Sequence, residues 1–199
     1  GNDIRNITAD AFAGVADDEI VDPRPWAEIL RQWATYNPEF AYLPRKFKIA
    51  LNGATEDRVV VRVYDIGLDL KRDADGNVGF RVLVGGGLGR TPILGEEIAS
   101  FVPWQHLITY CEAILRVYNR YGRRDNVWKA RIKILVKALG AEEFGRQVEE
   151  EWAHAKDGPN TLTEAEVQRI AAHFVDPVYE TLPARDAGYA ARLAASKPF

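Results

Sequence analysis

The hydrophobic period of this chain changes between its middle and its second half. Between about residues 46 and 85, apolar side chains recur at every second position, as in Val78, Phe80, Val82 and Val84. From Leu107 onward they recur at every third or fourth position, as in Leu107, Tyr110, Cys111, Ile114, Leu115 and Tyr118. A period of two places apolar groups on one face of a strand, and a period near 3.6 places them on one stripe of a helix. Strands followed by helices, without βαβ alternation, predict an α+β fold. The expected architecture is a mixed or antiparallel sheet of about four or five strands, followed by a set of packed helices.

The elements follow from the same pattern. Residues 1–8 read as a strand and 10–21 as a loop. Asp22-Pro23 is a helix start, with a carboxylate cap and proline at the first helical position. Trp26, Ile29, Leu30 and Trp33 carry that helix to about Tyr36. Strands are expected at 46–52, 58–66 and 77–85, as antiparallel neighbours, with Asp75-Gly76 in a hairpin turn. A helix follows from Leu107 to a stop at Gly122, then one from about Asn126 to Leu139 stopped by Gly140. Phe144, Val148 and Trp152 mark a third. Thr163 and Glu166 form a capping box that opens a short helix with Val167, Ile170 and Phe174. The last 25 residues hold Pro177, Pro183 and Pro198, show little periodicity and read as a linker.

Two short segments carry the candidate chemistry: Asn2-Asp3-Ile4-Arg5-Asn6-Ile7-Thr8 and Leu43-Pro44-Arg45-Lys46-Phe47-Lys48. The second opens a strand. Lys46 and Lys48 then share a face, separated by roughly 7 Å at about 3.3 Å per residue. Phe47, Ile49 and Leu51 face the core. Like charges held side by side repel, and a bound anion relieves that cost, so the segment reads as an anion site. The net charge is −3 and the pI about 5.7. That balance argues against a nucleic-acid partner and for a small anion. No apolar run reaches the roughly 18 residues of a membrane span, and no signal peptide is visible.

Other chemistry is excluded by composition and spacing. One cysteine rules out an internal disulfide and any four-cysteine site, and Cys111 falls on an apolar helical stripe, where it acts as a small hydrophobe. His106, His154 and His173 have no ligand spacing, so no metal ligand is expected. Gly85-Gly86-Gly87-Leu88-Gly89 is followed by Arg90 and lies outside any βαβ unit, so it is no dinucleotide fingerprint. It reads either as a tight turn or as a close approach of backbone to a flat ligand. Lys129 and Lys133 are expected on one solvated helix face or paired with Glu142 or Glu143, with Arg131 pairing internally. Glu149-Glu150-Glu151 reads as a solvated helix face. The chain contains no methionine and reads as a piece of a longer polypeptide.

These motifs come in a recognisable order. Arg5-Asn6-Ile7, Leu43-Pro44-Arg45-Lys46-Phe47-Lys48, Asp65-Ile66-Gly67-Leu68, Gly79-Phe80, the glycine run at 85–89, Cys111-Glu112-Ala113-Ile114 and Lys129-Ala130-Arg131-Ile132-Lys133 follow one another along the chain. The ordered set resembles the sulfite and nitrite reductases, over about residues 1–150. Leu-Pro-Arg-Lys-Phe-Lys is its most specific member.

The resemblance implies the first of two homologous sirohaem-contacting modules, spanning residues 1–156 without the cluster cysteines. Residues 157–199 are then a short helix and a linker toward the second module. It implies sirohaem and a [4Fe-4S] cluster in the parent protein, the cluster cysteines lying in the other half. Arg5, Lys46 and Lys48 match the residues that surround the oxyanion. Arg45 matches a position that reaches either a sirohaem carboxylate or a surface acid. Asn6 and Thr8 either hydrogen-bond the macrocycle carboxylates or finish a turn. Gly85, Gly86 and Gly87 would let backbone approach the macrocycle. The implied reaction is six-electron reduction of sulfite to sulfide, with ferredoxin or a flavoprotein as electron donor, in the cytoplasm. A lysine ammonium there donates a proton as S–O bonds break. Nitrite reductases of the family tend to place asparagine where this chain has Lys48, so the second lysine points to doubly charged sulfite. The other readings are a nitrite reductase, a biosynthetic relative acting on corrinoid precursors, and a non-catalytic anion-binding module. The fragment alone is expected to be inactive.

Overall fold

The computed structural model describes residues 3–35, 37–176, 178 and 180–196. Asn2, Tyr36, Pro177 and Pro198, which figure in the expectations above, lie outside them. Five strands form one sheet in sequence order: β1 (Ile4–Ala9), β2 (Phe47–Asn52), β3 (Ile66–Arg72), β4 (Val78–Val84) and β5 (Glu96–Pro103). The helices are α1 (Arg24–Ala34), α2 (Leu107–Tyr121), α3 (Ile132–Leu139), α4 (Ala141–Ala155), α5 (Glu164–Ala171) and α6 (Ala187–Ala195). The α+β architecture is as expected.

The sheet is mixed rather than antiparallel throughout. β1 pairs parallel to β2, and β2 parallel to β3; β3–β4 and β4–β5 are antiparallel. Parallel neighbours need a crossover connection. α1 supplies the first, and the segment 53–65 supplies the second. The hairpin at Asp73–Asn77 forms as read, with Gly76 at φ +84 and the Asp73 amide donating to the Asn77 carbonyl.

The strand expected at 58–66 does not form. Val60 takes a left-handed conformation, φ +59, and Val61–Val63 make one turn of 3-10 helix. The Asp57 carboxylate fixes that turn by accepting from the amides of Val60 (2.8 Å) and Val61 (2.9 Å). The alternating valines pack instead on the far side of the sheet, where Val61 joins Ala50 and Leu83 in a small apolar cluster. The strand starts later, at Ile66. β5, half exposed and rich in glutamate, has no sequence pattern strong enough to announce it.

The main core lies between the other face of the sheet and the helices. Phe47, Ile49, Leu51, Ile66, Leu68, Leu70, Phe80, Val82 and Val84 meet Trp26, Leu30, Tyr110, Ile114 and Tyr118 there. Trp26 stands edge-on to Phe80 at 5.5 Å between ring centres, and Phe47 lies 5.7 Å from Tyr118. Leu162 and Ile170 are buried in the same core, so it draws on residues beyond 156.

The helical expectations shift at their ends. α1 begins at Arg24, whose amide donates to Asp22 at 2.9 Å. α3 begins at Ile132 rather than near Asn126, because residues 127–129 form a turn. The Thr163 hydroxyl caps α5 through the Glu166 amide, and Phe174 lies beyond that helix under the guanidinium of Arg24. Glu149 and Glu151 are partnered rather than merely solvated: Tyr110 donates to Glu149 at 2.7 Å, and Arg120 pairs with Glu151 at 3.1 Å. α6 forms within the expected linker and buries no residue. Among the described residues no helix is long and apolar enough to cross a membrane.

Candidate anion site at the head of strand β2

The parallel pairing of β1 and β2 sets Asn6 beside Lys48 and Thr8 beside Ala50. Paired residues of neighbouring strands share a face. Phe47, Ile49 and Leu51 turn into the core, so Lys48 stands half-buried on the opposite face, next to the small Ala50–Val61–Leu83 cluster. Lys46 is exposed and precedes the first residue of β2, so the strand repeat does not fix its direction. Asn6 donates to the Thr8 hydroxyl at 2.9 Å, an exposed bond between the two residues themselves.

Arg5 falls at the register shift between Ile4 and Asn6, a bulge that re-aims a side chain. It is exposed and lines a groove of about 650 Å³ between β1 and α1, together with Arg24, Arg31 and Phe174. Neither Lys46 nor Lys48 lines that groove.

A buried carboxylate organises the head of β2. Asp65 immediately precedes β3, with its side chain 1% exposed. Its Oδ2 accepts from the Lys48 amide at 3.0 Å. Its Oδ1 accepts from Nε and Nη2 of Arg131 at 3.1 and 2.8 Å. Burial pushes the Asp65 carboxyl above its ordinary value, against the pull of Arg131. Arg131 therefore pairs internally, as read, but it precedes α3 in extended conformation rather than lying within a helix.

Lys133 is 7% exposed and makes no pair with Glu142 or Glu143; Glu143 is held by Arg146. Its ammonium donates to the carbonyls of Thr91 (2.7 Å) and Leu88 (3.4 Å), fastening the loop after β4. Burial first, then Arg131 and Arg45, hold its pKa below the usual lysine value. Lys129 is exposed. Arg45 stacks on Trp128, 4.7 Å from the ring centre, and donates to the Val127 carbonyl at 3.2 Å. Trp128 is 74% exposed, which leaves an open platform beside the basic residues.

The glycine run packs tightly against the chain itself. Gly85 has φ +81, and a Cβ there would lie 2.9 Å from Cβ of Val136. At Gly86 it would lie 2.2 Å from the Arg62 carbonyl oxygen. At Gly87 the nearest atoms are Lys133 Cδ and Arg131 Nη2, at 3.1 and 3.2 Å. Gly87 is thus the position at which this loop packs against the basic side chains, while Gly85 and Gly86 face Val136 and backbone carbonyls.

Asp65, Arg131 and Lys133 are the structural members of this site that periodicity did not single out. The signal for Asp65 was an acid placed directly before an apolar strand.

Comparison with known proteins places the chain. The nitrite and sulphite reductase 4Fe-4S domain model matches residues 1–156. The chain belongs to this family. It is 33% identical over 174 residues to sulfite reductase [ferredoxin] 1 of Mycolicibacterium paratuberculosis, covering 83% of this chain and 31% of that protein. It is 32% identical over 162 residues to the chloroplastic ferredoxin–nitrite reductase of Arabidopsis thaliana, covering 78% and 27%. The structure of the Mycobacterium tuberculosis NirA protein matches with a TM-score of 0.68 at 30% identity, over 77% of this chain and 28% of that one. The fold is shared with dissimilatory sulfite reductase I, at a TM-score of 0.57 and 11% identity. The chain spans about a third or less of the length of the curated reductases it matches.

The residues here do not fit the cluster in the family's name. The one thiol, Cys111, is 1% exposed and burial pushes it up to about 12. Among the described residues no group of three or more His, Cys, Asp or Glu is placed to hold a metal.

Proposed function

We propose that this chain is the oxyanion-holding module of a sirohaem-dependent sulfite reductase. The module comprises the family-matched residues 1–156 with Leu162 and Ile170 completing its core, and a second, homologous module supplies the cluster cysteines. The observation that supports this most is Lys48. It sits half-buried on the face of the sheet away from the main core, beside Asn6, with its backbone fixed by a buried carboxylate.

The basic residues around the head of β2 suit a carboxylate-rich macrocycle. Arg45 on its Trp128 platform, with Asn6 and Thr8, would hold the peripheral carboxylates. Sirohaem, when bound, supplies the electron path for six-electron reduction of sulfite to sulfide, the oxygens leaving as water. Lys48 would neutralise and orient the oxyanion, with Lys46 beside it in sequence and Arg5 reaching from the β1–α1 groove it lines. Arginine stays charged and acts as a fixed clamp, whereas a lysine ammonium also gives up a proton to a departing oxygen. Electrons come from a ferredoxin-like donor, in keeping with the names of the matched reductases. The 199 residues alone do not turn over.

A second reading, nitrite reduction, is supported by the near-equal identity to a sulfite and a nitrite reductase, 33% and 32%. Lys48 separates the two. Replacing it with asparagine removes one cation, which matters more to a dianion than to a monoanion. In the natural-length reductase, Lys48→Asn is expected to lower kcat/KM for sulfite about a hundredfold, close to 3 kcal/mol, and for nitrite about tenfold. Equal losses with both substrates would argue against selection by charge.

A further inference from the structure

The β2–β3 ladder begins at Ile49 and Ile66, so the amide of Lys48 lies one residue outside it. The Asp65 carboxylate takes the place that a backbone carbonyl of β3 would fill, and accepts that amide at 3.0 Å. A neutral side chain would satisfy one amide at lower desolvation cost. The charge instead serves Arg131, which gives both Nε and Nη2 to the second carboxylate oxygen. One buried group therefore joins the head of β2 to the residue that opens α3, and Lys133 follows two residues later to hold the loop at 88–91.

We propose that Asp65 is the positioning residue of the anion site. Through one carboxylate it fixes the backbone of Lys48 and the guanidinium of Arg131, so that the Lys48 ammonium is presented to a small divalent oxyanion. The inference rests on the oxyanion-holding reading above and adds the residue that makes the site rigid. Asp65 touches neither substrate nor cofactor and acts through Lys48.

The alternative, that Asp65 only offsets local positive charge, predicts an effect of opposite sign. Removing a negative charge beside cations strengthens anion binding by Coulomb attraction alone. Loss of positioning weakens it. The groups facing Asp65 are Arg131 and Lys133 from the start of α3, Lys48 from β2 and Tyr118 from α2. Asp65 is the carboxyl among them, and burial holds it above its ordinary value.

The test is a sulfate titration of the 199-residue chain, followed by the amide and ammonium resonances of Lys46 and Lys48. Sulfate stays doubly charged through the acidic range. Asp65→Asn is expected to bind sulfate about fivefold more weakly, the worth of about 1 kcal/mol for one lost hydrogen-bonded contact, despite its added positive charge. In the unmutated chain, affinity should fall as pH drops through the Asp65 titration, while Asp65→Asn stays flat. The pH profile of the unmutated chain decides the matter even where the variant fails to fold. Sulfate binding that tightens in Asp65→Asn, or that rises steadily on acidification of the unmutated chain, overturns the role of Asp65 and leaves the anion site standing. Lys46 and Lys48 resonances unmoved by sulfate in the unmutated chain overturn the anion site and this role with it.

Discussion

At Gly86 an added methyl would meet two carbonyl oxygens, Arg62 at 2.2 Å and Tyr64 at 2.5 Å, and backbone cannot step aside as a side chain can. Gly86→Ala is expected to cost about 3 kcal/mol, at the upper end for overpacking, read as a lower denaturant midpoint. An unchanged midpoint would show that the loop after β4 has slack. The glycine run shows what a sequence conceals. Its need for small residues was legible, but not whether its partner was a ligand or the chain itself. Arg131 was read as internally paired and is so, whereas its partner lies 66 residues away at Asp65. No local period connects the two. Lys133 was read as solvated or as paired with Glu142 or Glu143; here two carbonyls receive its charge.

Elements built on one strong stripe of apolar residues were the most legible. α2 buries eleven of its fifteen residues and ends before Gly122, as its spacing required. The valine run at 59–63 was not legible, since a period of two is shared by a strand and by a short turn that alternates its contacts. What distinguishes them is Asp57, which accepts two successive amides and stops the chain from extending. Asp57→Ala is expected to lose about 1 kcal/mol, as for a helix N-cap, with the loss measured by thermal or denaturant unfolding. It should also loosen Val61 from Ala50 and Leu83, detectable as faster amide exchange at Val60 and Val61. Protection that survives the substitution would mean the apolar cluster holds the turn unaided. The direction of pairing was equally hidden, because register and polarity depend on what crosses between strands.

For the whole molecule, the change of hydrophobic period was enough to give α+β, and the ordered motifs were enough to give the family. The extent of the folded unit was less plain. Leu162 and Ile170 insert into the main core from beyond residue 156. Ending the chain at 156 is expected to cost about 4 kcal/mol, from burial of two large aliphatic side chains at about 2 kcal/mol each. Unchanged stability would place them outside the cooperative unit. Acid acts on the molecule through opposed groups. Arg31 holds the carboxyl of Glu28 down to about 2, from an ordinary 4.5. Its contribution to stability is therefore full above pH 4.5 and is lost as pH falls toward about 2. Asp65 works in the other direction. Its folded value is raised, so stability falls as pH rises from its unfolded value through its folded one. Glu28→Gln should flatten the acid limb of the stability curve between pH 4.5 and about 2. An unaltered limb would show that the Arg31 pair on α1 contributes nothing in solution.

The proposed role is that of a cysteine-poor, mildly acidic module whose local basic site serves a redox centre it does not ligate. The visible absorption spectrum of the protein as its host cell makes it tests this most directly, with iron and acid-labile sulfide assayed on the same sample. Sirohaem bands together with cluster iron and sulfide are expected. A colourless, iron-free protein that folds normally would contradict it, and would leave the head of β2 as an anion site without a redox reaction to serve.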